Sequence, residues 1–91
     1  SKKWNDDAIR VLTAYKQTLS SIKELTAEMA KTTLEDVTTS LGISTGKILQ
    51  ALRVSITGAG SGPDLMLSME IMGSEEVVSR IDRALSTLKK V

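Results

Sequence analysis

The stretch from Thr45 to Thr57, TGKILQALRVSIT, decides the fold class because its side-chain pattern fits two kinds of secondary structure. In its second half, from Leu52 onward, apolar and polar residues alternate and several are β-branched, a pattern typical of a strand. The apolar residues also fall on one helical stripe, made up of Ile48, Leu49, Leu52 and Ile56. The residues themselves leave this segment undecided between strand and helix.

Four other segments have helical periodicity. Apolar residues recur every three or four positions in each of them, which predicts helices over residues 5–22, 26–41, 63–72 and 75–90. Polar residues and glycines fit helix capping, with starts at Asn5, Ser44 and Ser74 and stops at Gly42 and Gly73. Pro63 suits the first turn of the helix that follows it. We therefore predict one compact, mostly helical domain spanning residues 1–91.

Composition excludes several classes of function. The 91 residues include neither cysteine nor histidine, which excludes disulfides, Cys/His zinc sites and Ser-His or Cys-His dyads. The two aromatic residues, Trp4 and Tyr15, are too few for a base-stacking sheet and are expected to pack in the core or at a hinge. We therefore expect a binding domain without catalytic residues or a metal site of its own.

Charge and hydropathy add two further expectations. A net charge of +1 gives no overall field that would attract DNA or a membrane, and no apolar run reaches the ~18 residues of a membrane span. The chain shows no initiator methionine and no apolar signal segment. We interpret it as a piece of a longer cytoplasmic protein, with residues 1–3 either flexible or foreign to it.

The glycine-rich stretch 58–63, GAGSGP, is the most informative candidate site. A strand that led through it into a helix would resemble a dinucleotide-binding turn, but the acidic residue on a following strand is missing. No Lys-Ser or Lys-Thr pair follows the glycines, which excludes a P-loop. Between Asp36 and Asp64 the chain carries no acidic side chain but includes Lys47 and Arg53. A local basic surface beside the glycine loop is therefore compatible with the small net charge.

Four strings in the second half of the chain follow the order and spacing of a known family. They are LGISTGKI at residues 41–48, LRVSITG at 52–58, GPDL at 62–65 and IMGSEEVVSRI at 71–81. Together they resemble the C-terminal anticodon-binding domain of bacterial-type glutamyl-tRNA synthetases, which are class I aminoacyl-tRNA synthetases. The likeness covers roughly residues 26–88.

This resemblance implies an all-α fold, a compact bundle of about five helices, and it therefore favours a helix between Leu52 and Thr57. It implies that the chain recognises the anticodon loop of glutamate tRNA as part of a glutamate–tRNA ligase. The rest of that synthetase would be its partner in cis, and ATP and Mg²⁺ would bind in the catalytic domain of the full-length enzyme. The implied RNA-binding residues are Lys47 (by charge alone), Arg53, Thr57, Gly58, Gly62, Pro63, Asp64 and Leu65.

The chain departs from the family pattern at three positions. Ala51 and Leu25 stand where the family usually has Pro and Trp, and Ser74 replaces a Lys that would be a phosphate contact. An alternative function is a helical protein-interaction domain whose Met- and Leu-rich stripe, from Leu65 to Met72, forms a groove for a partner.

Overall fold

The computed structural model describes residues 2–58, 62 and 64–89, and within these ranges the side chains of residues 6–46, 48–58, 62 and 64–87. It contains α1 (Lys2–Leu19), α2 (Ala27–Leu41), α3 (Thr45–Thr57), α4 (Leu65–Met72) and α5 (Ser74–Lys89). The described residues form no strand. The all-α class and the five-helix bundle are thus confirmed. None of the described helices is both long and apolar enough to cross a membrane.

The segment with the conflicting pattern is a helix, so the strand alternative is wrong. Its side chains at spacings of four, Ile48, Leu52 and Ile56, are 0%, 0% and 1% exposed, because they line the face that α3 turns toward the core. The hydroxyls of Ser55 and Thr57 donate to carbonyl oxygens four residues earlier, each at 2.8 Å, so both polar groups are satisfied inside a helix. Burial of one helical face therefore outweighs the low helix propensity of the β-branched residues.

The core is built by all five helices around Tyr15 of α1. Helix α1 packs against α2, α3 and α5, and α4 packs against α2 and α5. Tyr15 is fully buried, and its hydroxyl donates to the Ala30 carbonyl oxygen at 2.8 Å. Burial raises the pKa of the Tyr15 phenol well above its ordinary value. The expectation that Tyr15 packs in the core is confirmed, whereas the side chain of Trp4 lies outside the described residues.

Two predicted helix bounds differ from the structure. Helix α1 runs from Lys2 to Leu19 rather than over residues 5–22, so Asn5 lies inside the helix instead of capping it. Helix α4 begins at Leu65 with Asp64 as its N-cap, so the described helix starts after Pro63, which itself lies outside the described residues. The predicted stops at Gly42 and Gly73 are confirmed, since both glycines are C-caps.

Neither of the two serines predicted to cap helices, Ser44 and Ser74, forms a capping hydrogen bond with its side chain. Ser44 occupies the N-cap position of α3, but its side chain forms no capping hydrogen bond. Ser74 is the first residue of α5, and its hydroxyl donates to the Ile22 carbonyl oxygen at 2.7 Å instead of capping the helix. This bond joins the start of α5 to the connection after α1, a distant pairing that local pattern cannot predict. The Ser74 side chain, at one of the positions that depart from the expected family pattern, thus forms a hydrogen bond within the fold.

The other two departures from the family pattern lie in the core. Leu25 is 5% exposed and Ala51 8% exposed. The stripe that the protein-interaction alternative requires is also divided, because Leu65 and Met69 are buried. The exposed apolar side chains of α4 are Leu67 and Ile71. A groove lined by the whole stripe is thus not present in the folded domain.

Candidate nucleic-acid interface

The glycine loop starts at a helix end that is held by hydrogen bonds from two directions. Gly58 adopts a left-handed conformation, with φ of 77°, and its N–H donates to the Val54 carbonyl oxygen at 2.8 Å. From α5, the Arg80 guanidinium donates to the Ile56 carbonyl oxygen at 2.6 Å. Carbonyl groups in the last turn of a helix lack partners within the helix and carry partial negative charge. The arginine therefore satisfies one such group and fixes the point where the loop leaves α3.

The far end of the loop is held equally firmly. The Asp64 carboxylate accepts a hydrogen bond from the Leu67 N–H at 3.1 Å, which caps the start of α4. The next residue, Leu65, is only 3% exposed and belongs to the core. The side chain of Leu65 therefore packs inside the protein, and its contact with RNA stays a prediction from the resemblance. Asp64 remains exposed but already serves as a helix cap.

The side chain of Arg53, in α3, lies close to Gly62, near the end of the glycine loop. A Cβ atom added to Gly62 would lie 3.8 Å from an Nη atom of Arg53, so the guanidinium sits beside the loop backbone. Gly62 has φ of 150°, a conformation that side-chain-bearing residues rarely adopt. Arg53 is partly buried, and Thr57 lies one turn further along the same helix. Arg53, Thr57, Gly58 and Gly62 thus share one end of the molecule.

Two of the predicted RNA-binding residues cannot be placed. Pro63 lies outside the described residues, and so does the side chain of Lys47, although its backbone belongs to α3. The structure also adds two cations that the sequence analysis missed, Arg80 and Arg83 of α5. Arg80 has Glu76 one helical turn earlier, at 2.8 Å, whereas Arg83 has no acidic residue three or four positions away. The lack of an acidic residue at helical spacing from Arg83 is the sequence signal that could have identified this arginine as a candidate contact.

The arrangement suits recognition of unstacked bases. A guanidinium beside a glycine backbone can stack on a base or pair with a phosphate. Backbone N–H and C=O groups without a neighbouring Cβ can approach a base edge closely. The segment between Asp36 and Asp64 adds no carboxylate that would repel RNA. The Glu76 carboxylate pairs with Arg80, the arginine that binds the end of α3, so its charge is compensated.

Comparison with known proteins agrees with this geometry. A family described as an anticodon binding domain matches residues 1–85. The chain is similar to the glutamate–tRNA ligases of Cytophaga hutchinsonii (46% identity over 91 residues, 99% of this chain) and Flavobacterium johnsoniae (35% over 88 residues, 97%). The ligase of Bacteroides fragilis is 30% identical over 88 residues, again 97% of this chain.

The chain spans only a small part of these relatives, 18%, 18% and 17% of their respective lengths. The family match, in contrast, covers all five helices, apart from the last residues of α5, and includes the glycine loop. The chain therefore belongs to the anticodon-binding domain family, and its resemblance to the domain found in glutamyl-tRNA synthetases is confirmed.

Proposed function

We propose that this chain binds the anticodon loop of glutamate tRNA and thereby supports the ATP-dependent attachment of glutamate to that tRNA by a glutamate–tRNA ligase. One observation carries the proposal. In a chain of the anticodon-binding family, a glycine loop is held at both ends, and the Arg53 guanidinium lies beside the position of a Gly62 Cβ, 3.8 Å away.

The fixed loop ends explain how a small site distinguishes bases. Protein–RNA recognition of this kind targets bases that are splayed out of the helix, whose edges then accept hydrogen bonds from backbone groups. A loop whose ends are held loses less conformational entropy on binding. Gly58 and Gly62 expose backbone groups, and Arg53 supplies a cation for a base face or a phosphate. Specificity would come from the backbone contacts, and most of the affinity from the arginine.

The rest of the ligase is the proposed partner in cis. Within the part of the chain that the structure describes, no three acidic side chains come close enough to hold a metal ion. From the resemblance, we also propose that ATP and Mg²⁺ bind in the catalytic part of the ligase and that the whole enzyme is cytoplasmic. Binding of the anticodon to this chain and binding at the distant active site would then be linked by a coupling free energy between two sites of one enzyme.

The direct test titrates the 91-residue chain with the anticodon stem-loop of glutamate tRNA while amide shifts are followed by NMR. A stem-loop with exchanged anticodon bases is the control RNA. We expect shifts at Thr57, Gly58, Gly62 and Arg53, and weaker shifts with the exchanged bases. Absence of shifts with either RNA at moderate salt would refute RNA binding by this chain.

An Arg53→Ala variant tests the cation. We expect binding to weaken by about 1–3 kcal/mol, the contribution of one stacking contact, which corresponds to roughly five-fold or more in Kd. Arg10→Ala is the matched control, because Arg10 is an exposed arginine of α1. Far-UV circular dichroism of both variants must keep the helical signal. If Arg53→Ala unfolds the chain, Arg53 has a structural role and is no longer assigned to the RNA-binding site.

A further inference from the structure

A groove of about 620 Å³ runs between α3 and α5, next to the glycine loop. Binding sites for small molecules have volumes of roughly 300–1,000 Å³, so the groove is large enough for one nucleotide. It begins at Thr57 and Gly58, where α3 ends, and is therefore continuous with the proposed anticodon site. The residues that form its walls along the two helices include Gln50, Ala51, Val54, Arg83, Ala84 and Thr87.

The groove is positively charged. Among the described residues that line it none is acidic, and two are arginines. Arg80 is already bound to the Ile56 carbonyl oxygen and to the Glu76 carboxylate. Arg83 is exposed, and within the described part of the chain it forms no ion pair. The neighbouring Asp82 is instead bound by Lys16 of α1. Arg83 therefore places an uncompensated charge at the edge of the groove.

Part of the groove wall is apolar. Ala51 and Ala84 have short side chains, and Val54 is 48% exposed although it is a large apolar residue. Short apolar side chains leave a flat surface against which the face of a planar ring can lie. A flat apolar wall beside one uncompensated arginine matches a nucleotide, which combines a planar base with an anionic phosphate. A purely apolar peptide would leave the Arg83 charge without a partner.

We propose that the groove between α3 and α5 binds a nucleotide that flanks the anticodon bases, with its base on the Ala51, Val54 and Ala84 wall and its phosphate at Arg83. This proposal rests on the proposed function, because continuity with the glycine loop is what brings a single-stranded RNA segment to the groove. It extends the RNA-binding surface from the loop onto α5 and assigns Arg83 as a phosphate contact.

The test compares Arg83→Gln with Arg10→Gln and Arg83→Lys in titrations of the 91-residue chain with the glutamate-tRNA anticodon stem-loop. Arg83→Gln should weaken binding roughly two- to five-fold, the effect of one solvent-exposed ion pair. It should also reduce the slope of log K against log salt by about 0.7, the loss of one phosphate contact on a single strand. Arg10→Gln should change neither value, and Arg83→Lys should keep most of the salt slope because it keeps the charge.

Amide shifts separate this proposal from the proposed function. Shifts at Ala51, Val54 and Ala84 together with those of the glycine loop support the groove. Shifts at the loop alone, with an unchanged salt slope in Arg83→Gln, overturn the groove and leave anticodon binding intact. No shifts anywhere overturn both. Groove shifts that arise only when the catalytic part of the ligase is added would identify a protein occupant and also overturn the proposal.

Discussion

Replacement of Arg80 by methionine measures how strongly α5 holds the end of α3. The variant keeps an unbranched side chain but loses the donor to the Ile56 carbonyl oxygen and the ion pair with Glu76. A hydrogen bond from a charged donor contributes about 1.5–3 kcal/mol, and an exposed i,i+4 ion pair about 0.3–0.5 kcal/mol. Because the arginine side chain is 37% exposed, we take the low end of the first range.

The free energy of unfolding should therefore fall by about 2 kcal/mol. In a domain of this size each kcal/mol lowers Tm by roughly 4–8 °C, so we expect a drop of about 8–16 °C. Urea unfolding followed by circular dichroism measures the same loss as a lower midpoint with an unchanged m-value.

Glu76→Gln is the control, since it leaves the bond between Arg80 and Ile56 in place. It removes the charge of the ion pair and one favourable carboxylate in the first turn of α5. Together these cost about 0.6–1.5 kcal/mol, less than the loss expected for Arg80→Met. Equal destabilisation in Arg80→Met and Glu76→Gln would show that the contact with Ile56 contributes nothing, and the account of a fixed helix end would be refuted.

Two further substitutions test the core and the loop. Tyr15→Phe keeps the buried ring but removes the hydroxyl that donates to Ala30, so thermal unfolding should show a loss of about 1 kcal/mol. An unchanged Tm would contradict this. Gly58→Ala should destabilise by about 1–2 kcal/mol through its positive φ alone, because no atom lies within 4 Å of the added Cβ. Gly46→Ala in α3, where φ is not positive, should instead stabilise by about 0.4–1 kcal/mol, and the opposite signs distinguish backbone strain from crowding.

The sequence predicted the helices where one periodicity was consistent along the segment. Residues 26–41 match the structure closely because apolar spacing and the stop at Gly42 agree, and the last helix does so because its apolar spacing is consistent. The start of α1 was wrong because three polar residues, Asn5 to Asp7, are equally compatible with a cap and with the exposed face of a longer helix. The segment Leu52–Thr57 was undecided because local alternation and helical spacing conflict, and only tertiary burial decides between them.

The candidate site was less predictable because its geometry depends on contacts between distant residues. The glycine loop is visible in the sequence, but the position of the Arg53 guanidinium beside Gly62, nine positions further on, is visible only in the structure. Leu65 was predicted to lie in the helix that follows the loop and, by resemblance, to contact RNA; its side chain is part of the core. Arg80 supports the loop from 24 positions away, and no local pattern records such a pairing.

Local charge explains how a chain of net charge +1 can suit an RNA partner. Surface charges are screened beyond about 8 Å at physiological ionic strength, so the loop is affected by its neighbours and not by the whole chain. Several carboxylates are engaged elsewhere in the fold: Asp7 with Arg10, Asp82 with Lys16, and Glu70 with the Ala27 N–H. On the proposals above, Arg53 and Arg83 are the cations with described side chains that would meet RNA. Two cations release few counterions, so the proposed function requires backbone contacts such as those of Gly58 and Gly62 to supply most of the discrimination between anticodons.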